Sequence, residues 1–410
     1  MPHFRIRTLR DDDWLMITVP FTEPTPHASQ SGPAGRHPHL LSYGHTAHET
    51  GLVNAPRGAE VLAARGSQTH ALMEIFSEPY GLDKAKRYEI IRTVGRGAFG
   101  EVFLAWDTQT KQREAPHLRA GGYRDAGMGE EGGGGYVALK TVASRVSSSS
   151  MSSGGRGGLS KGLFRELRAL QMATECPHIV TLLDVYPEGS NAVLVLEYMP
   201  SDLAKASRYV LDGSPNPLEE SHIKAYTTML LKGLAWMHAH GLLHRDIKPS
   251  NLLLSAGGVL KIADFGQTRT HTTPQTRSYS HQVATRWYRA PELLYGARRY
   301  GCAVDMWAAG AVVGEMLASR PLFPGRSDID QLYKILQVTG SPTDENWPGV
   351  KGLPDYDKVC FAEMPPQDAS VTFQGSSREA CHLTQGMLRL DPRNRTPALE
   401  ALQHRFNKWV

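Results

Sequence analysis

The chain has 410 residues, enough for two or three domains by length alone. Lys+Arg at 45 against Asp+Glu at 41 leaves a net charge of +4, too nearly balanced to argue for nucleic acid as an obligate partner. The 4 cysteines show no zinc-ligand spacing and no apolar run reaches the ~18 residues of a membrane helix, so reduced thiols in a soluble, internal protein without a membrane partner are expected.

Residues 1–86 are rich in Pro, Gly, His and Ser, with no sustained helix or strand period. Such a segment buries too little apolar surface to offset its ordering entropy and reads as a disordered extension. A small extra domain, or a gene-model extension with Met73 as a later start, are the alternatives. Arg5, Arg7 and Arg10 hint at a transit peptide, but Asp11–Asp13 follow at once and no secretory signal is visible.

Order is expected to begin at Tyr88, where Tyr88–Val94 alternates as a strand. Gly95-Arg96-Gly97-Ala98-Phe99-Gly100-Glu101-Val102 follows, then apolar Phe103–Trp106. Glycines between two strands let backbone amides close over phosphates without a Cβ clash. Alone, G-x-G-x-x-G is a weak signal. A dinucleotide fold needs a helix directly after it, and here a strand follows. Lys140 then sits in the strand-like run Tyr136–Val142, after a Gly-rich insertion over 107–135. A second low-complexity stretch, 144–160, precedes a predicted helix over Lys161–Ala173 with Leu163, Leu167 and Leu170 on one face. Glu166 on that helix is either a solvated surface acid or the partner of Lys140.

Val193–Met199 reads as an apolar strand leading into Pro200-Ser201-Asp202-Leu203. A helix over Ile223–His240 ends at Gly241. Next comes His244-Arg245-Asp246-Ile247-Lys248-Pro249-Ser250-Asn251. Asp246 can accept a proton from a hydroxyl, Lys248 can neutralise phosphoryl charge, and Asn251 offers an oxygen to Mg²⁺. A predicted hairpin, Leu252–Leu254 and Val259–Ile262, returns the chain so that Asp264 of Asp264-Phe265-Gly266 lands near Asn251. Beyond a Ser/Thr-rich loop closed by Ala290-Pro291-Glu292, helices are predicted at Val304–Ser319, Ile329–Thr339 and Ala380–Leu388. Arg395 is the expected buried partner of Glu292.

The Gly loop, Val-Ala-Leu-Lys (137–140), His-Arg-Asp, Asp-Phe-Gly and Ala-Pro-Glu occur in this order over 88–408, and together resemble the eukaryotic protein kinase family. Asp-Ile-Lys-Pro-Ser-Asn is similar to its serine/threonine branch. Val-Ala-Thr-Arg-Trp-Tyr-Arg-Ala-Pro-Glu (283–292) and Pro-Leu-Phe-Pro-Gly (321–325) resemble the group holding cyclin-dependent and mitogen-activated kinases, and Gln282, where the latter place a tyrosine, argues against the second. The run His281–Tyr300, with Ser201-Asp202-Leu203-Ala204 and Leu353-Pro354-Asp355-Tyr356, looks most like the cell cycle-related kinases, a branch with ciliary roles and a green-algal relative linked to flagellar length.

The resemblance implies an α+β, bilobal fold, with a mostly-β N-lobe (88–199) and a mostly-α C-lobe (200–408). It implies an ATP site lined by Val94, Gly95, Gly97, Gly100, Val102, Ala138, Lys140, Glu166, Glu197 and Met199, with Leu196 behind it. Asp246 and Lys248 are then catalytic, and Asn251 and Asp264 hold Mg²⁺. Ser280 stands at the activation-loop phosphosite, facing Arg165, Arg245 and Arg269, a cluster expected to gather a phosphate, with pairing to ordinary carboxylates as the alternative. Val283 and Arg289 form the pocket for a substrate proline, which makes Ser/Thr-Pro proteins the expected substrates and an upstream kinase the expected activator. A cytoplasmic or nuclear, or ciliary or flagellar, location follows from the same likeness.

Departures qualify it. The helix around Glu166 lacks the Pro-Ser-Thr-Ala-Ile lead-in used for cyclin docking, which puts a cyclin partner in doubt, and Gln267 replaces the usual Leu. Ala98 and Phe99 stand where an inhibitory Thr-Tyr pair is often phosphorylated, so that control is expected to be missing. A pseudokinase scaffold is the competing function, but such chains lose one of the residues matching Lys140, Asp246 and Asp264, and all three are here.

Overall fold

The computed structural model describes residues 85–97, 100–109, 135–143, 161–189, 191–211, 218–271 and 278–408. These belong to one compact unit. The expected extension over 1–86 and the insertions over 107–135 and 144–160 lie almost wholly outside the described residues.

The first layer is an antiparallel sheet of β1 (Tyr88–Gly97), β2 (Gly100–Asp107), β3 (Gly135–Ala143), β4 (Leu182–Glu188) and β5 (Asn191–Glu197), in the order β1-β2-β3-β5-β4. Its strands are rich in Val, Leu and aromatic residues, which suit a pleated, half-buried surface. Tyr88, Ala105, Val137, Leu139, Tyr186, Val193 and Val195 form its core, with the Tyr88 and Tyr186 rings stacked at 5.8 Å. The strict alternation expected for Tyr88–Val94 fails. Ile90 and Ile91 are both exposed, because register shifts between Ile90 and Arg92 and between Thr93 and Gly95 interrupt the pairing with β2. Extra residues of this kind bend a strand and re-aim its side chains.

Helix α1 (Lys161–Met172) follows, and its predicted leucine face, Leu163, Leu167 and Leu170, is fully buried. After β5 come β6 (Ser201–Asp202) and α2 (Leu203–Leu211), then α3 (Glu220–Ala239), which stops at Gly241 in the left-handed region with φ +66°. That conformation costs glycine nothing. Two small sheets follow. One pairs β7 (Leu242–Leu243) with β10 (Arg269–Thr270), and the other joins β6, β8 (Leu252–Leu254) and β9 (Leu260–Ile262). The predicted hairpin is therefore present, with Leu252 opposite Ile262.

The rest is helical: α4 (Pro291–Leu294), α5 (Ala303–Ala318), α6 (Asp328–Thr339), α7 (Ala369–Thr372), α8 (Arg378–Met387) and α9 (Ala398–Leu402). Helix α5 is apolar on all sides and buried on all sides, as such a helix must be. Beside it the Arg395 guanidinium meets the Glu292 carboxylate with two bonds of 2.7 Å, both side chains almost wholly shielded from water. The fold is thus α+β, a β-sheet lobe followed by a helical lobe.

Candidate active site

Strand pairing assembles the upper wall. Val102 lies opposite Lys140, Leu104 opposite Ala138 and Ala138 opposite Leu196, while Val94 and Gly95 reach the same sheet from β1. Gly97 pairs with Gly100, and the intervening Ala98 and Phe99 lie outside the described residues. Gly100 has a reason of its own to be glycine. Its φ is +137°, and a Cβ there would collide with the Thr141 carbonyl. At this position the requirement comes from the approach of β3 as well as from any phosphate.

Lys140 ties three elements together. Its Nζ donates to Glu166 Oε1 at 2.6 Å and to Asp264 Oδ1 at 2.8 Å, so β3, α1 and the segment after β9 meet on one ammonium. Burial works against charge on Lys140, but the two carboxylates outweigh it and hold its pKa above the ordinary value. Burial would also raise the Asp264 carboxyl, yet Lys140, with His244 and Lys248 further away, holds it below the usual carboxylate range. Asp264 has φ +62°, an uncommon conformation for a non-glycine residue and one concentrated at functional sites.

A second cluster forms on the loop after β7. Lys248 Nζ donates to Asp246 Oδ2 at 2.8 Å, and Asn251 Nδ2 donates to the same oxygen at 3.1 Å and to the Asp246 carbonyl at 2.9 Å. Thr285, which the sequence showed only as part of the run Val-Ala-Thr-Arg with no role of its own, completes it. Its amide and hydroxyl donate to Asp246 Oδ1 at 3.0 and 3.1 Å, and its hydroxyl accepts from Lys248 Nζ at 3.0 Å. The Ala263 amide bonds the Asn251 carbonyl at 2.9 Å, which sets Asp264 beside Asn251 as the hairpin predicts. Asn251 and Asp264 thereby offer an amide oxygen and a carboxylate, the hard donors that suit Mg²⁺.

Buried Asp305, in the first turn of α5, holds this loop from beneath. Its carboxylate accepts the His244 amide at 2.9 Å and the Arg245 amide at 2.8 Å, and it faces His238 Nε2 at 3.1 Å. Arg245 has φ +69°, so these bonds hold a strained backbone.

The activation-loop residues split. Arg165 and Arg269 each feel the charge of Arg245, and Arg269 is lowered to about 10 by burial together with those two cations. Arg245, however, is not left idle as the sequence suggests. It donates to the Gln267 carbonyl through Nε and Nη2, and its Nη1 bonds the Tyr300 hydroxyl at 2.9 Å. Tyr300 passes the contact on by donating to the Ser280 carbonyl, while Ser280 itself is exposed. Arg289 Nε donates to the Val283 carbonyl at 2.9 Å, and its Nη2 to the Ala284 carbonyl at 3.0 Å. At the hinge, Met199 is buried. The adenine contacts expected at Glu197 and Met199 are backbone ones, and the Glu197 side chain forms an ion pair with Lys261 at 2.6 Å and accepts the Thr181 amide at 2.7 Å.

The protein kinase domain family matches residues 128–407 of the chain. The chain belongs to the protein kinases. Among curated proteins it is 42% identical over 320 residues to cyclin-dependent kinase 20 of Danio rerio, covering 78% of this chain and 83% of the relative. It is 37% identical over 325 residues to cyclin-dependent kinase 7 of Xenopus laevis, covering 79% and 82%. A solved structure described as the CAK complex of Chaetomium thermophilum bound to ATP-gamma-S superposes with a TM-score of 0.65 at 33% identity, covering 80% of this chain and 94% of that one. The kinase is accordingly a serine/threonine enzyme of the cyclin-dependent group, using ATP as phosphoryl donor. No helix among the described residues is long and apolar enough to cross a membrane.

Proposed function

We propose that this kinase phosphorylates serine or threonine followed by proline, and that phosphate on Ser280 raises its activity. The observation carrying the first part is the Arg289–Val283 bond of 2.9 Å. With the Val283 carbonyl occupied, an incoming amide at the substrate's next position finds no acceptor there, and proline, having no N–H, loses nothing. In the reaction, Asp246 orients the substrate hydroxyl and takes its proton as the oxygen bonds the γ-phosphorus of ATP and the bond to the β,γ-bridging oxygen breaks, releasing ADP. Lys248, 2.8 Å from Asp246, stabilises charge on the transferring group. Asn251 and Asp264 would hold Mg²⁺, which supplies charge neutralisation of the phosphates.

Support for the switch is electrostatic. Phosphate adds about −1.5 to −2 charge and several acceptor oxygens to a residue whose backbone already reaches Arg245 through Tyr300. Arg165 and Arg269 lie within the field of Arg245 and would share that charge. An upstream activating kinase is then a partner, as is a cyclin-like subunit by likeness to the cyclin-dependent relatives. We further propose a role in cell-cycle or ciliary control, in cytoplasm, nucleus or cilium, on the resemblance of residues 281–300 to the cell cycle-related kinases.

The test uses purified enzyme carrying phosphate at Ser280, verified by mass spectrometry, on matched Ser-Pro and Ser-Ala peptides. Strong preference for Ser-Pro and loss of rate after phosphatase or in Ser280→Ala are expected. Equal rates on the two peptides would sink the first claim, and indifference to phosphatase and to Ser280→Ala the second. Asp246→Asn, which keeps the shape of the loop, serves as the inactive control.

A further inference from the structure

Three observations meet around one carboxylate outside the catalytic loop. Asp328, the first residue of α6, receives Arg289 Nη1 on both of its oxygens at 3.1 Å, and Arg286 Nε on Oδ1 at 2.9 Å. Arg289 is the residue whose other nitrogens hold the Val283 and Ala284 carbonyls. Ala284 has φ +64°, the left-handed region that a side chain with a Cβ disfavours. The turn that aims the Val283 carbonyl at Arg289 is therefore strained and does not hold itself. A long guanidinium arm reaching from Arg289 needs fixing at its far end if it is to impose that turn. Asp328 does the fixing, its two oxygens sharing the one nitrogen of Arg289 that the turn leaves over.

We propose that Asp328 is a positioning residue for substrate specificity: it pins Arg289, Arg289 holds the strained Val283–Ala284 turn, and the turn denies a non-proline substrate its hydrogen-bond acceptor. The inference rests on the Ser/Thr-Pro reading above. Arg286 and Arg289 repel one another on neighbouring ground, and the Asp328 charge is what lets both stay there. The region has a second, independent tie. Trp287 Nε1 donates to the Gly325 carbonyl and Gln331 Nε2 to the Trp287 carbonyl, so the segment stays docked on α6 without Asp328. Loss of Asp328 should therefore free Arg289 without unfolding the loop. Released, the turn can relax and the Val283 carbonyl can accept the amide of a Ser-Ala substrate.

The experiment compares kcat/KM on matched Ser-Pro and Ser-Ala peptides for wild type, Asp328→Asn, Asp328→Ala and Asp328→Glu, with thermal melting recorded for each. Losing the carboxylate is expected to cut the Ser-Pro over Ser-Ala preference about tenfold, the weight of one charge-assisted hydrogen bond, chiefly through a gain on Ser-Ala. Asp328→Glu, with two oxygens and the charge intact, should restore most of the preference. A general loss of fold would instead lower both peptides together and move with the melting temperature. If wild type discriminates and Asp328→Asn and Asp328→Ala discriminate equally well, Asp328 is no brace and the inference falls. If wild type itself shows no preference, the Ser/Thr-Pro reading falls and takes this inference with it.

Discussion

At the scale of single residues, Asp246 is held by more than its own motif. Its two oxygens take bonds from Lys248, Asn251 and Thr285, and Thr285 arrives from 39 positions away in the chain. The Thr285 hydroxyl touches Asp246 and Lys248 at once. Thr285→Ala keeps the amide bond but removes that bridge. Turnover should fall about ten- to a hundredfold, as expected for a hydrogen bond to charged groups. KM for ATP should hold steady, and Thr285→Ser should stay near wild type. Equal turnover in Thr285→Ala and wild type would show the bridge to be idle. The sequence displayed Asp246, Lys248 and Asn251 because they sit within six positions of one another and their types are rare together. Threonine at 285 stood inside the run 283–292 that carries the family resemblance, but its 39-residue separation from Asp246 hid the contact that gives it a role.

At the scale of elements, the helices and strands were legible wherever apolar period was long: the leucine face of α1, α3 from Ile223 onward and the buried α5. What the pattern could not display was which polar residue each element lends to its neighbours. Asp305 reads as the polar flank of an apolar helix, yet it joins α5, the end of α3 and the catalytic loop through three contacts. Burial would raise its carboxyl, but the bond from His238, the nearby His244 and the Arg245 amide hold it below the usual range. A depressed folded-state value means the ionised form stabilises the fold above the unfolded carboxyl pKa near ~3.9, and that stability is lost as pH falls through the folded value. The urea midpoint of Asp305→Asn should therefore lie below wild type near neutral pH, and the gap should close in buffer acidic enough to protonate Asp305. A gap that persists unchanged in buffer acidic enough to protonate a carboxylate would refute the ionised assignment.

At the scale of the whole molecule, the sheet lobe and helical lobe are fastened where the sequence suggested only a nucleotide hinge. Lys261 on β9 donates to both oxygens of Glu197 at 2.6 and 2.8 Å, and both side chains are largely buried. Glu197 stands at the end of β5, so this pair ties the main sheet to the small β6-β8-β9 sheet of the other lobe. Backbone bonds run alongside, with the Val180 amide on the Ile262 carbonyl and the Ile262 amide on the His178 carbonyl, both at 2.9 Å. A largely buried pair of this kind is costly to break by halves. Glu197→Ala leaves the Lys261 ammonium without its counter-charge and should destabilise the protein by about 3–5 kcal/mol. Replacing both partners, as in Glu197→Gln with Lys261→Met, removes the stranded charge and should cost clearly less than Glu197→Ala. Urea unfolding of the single and double variants measures the difference. If the double variant loses as much as Glu197→Ala, the stability resides in shape at the lobe junction and the ion pair adds nothing to it.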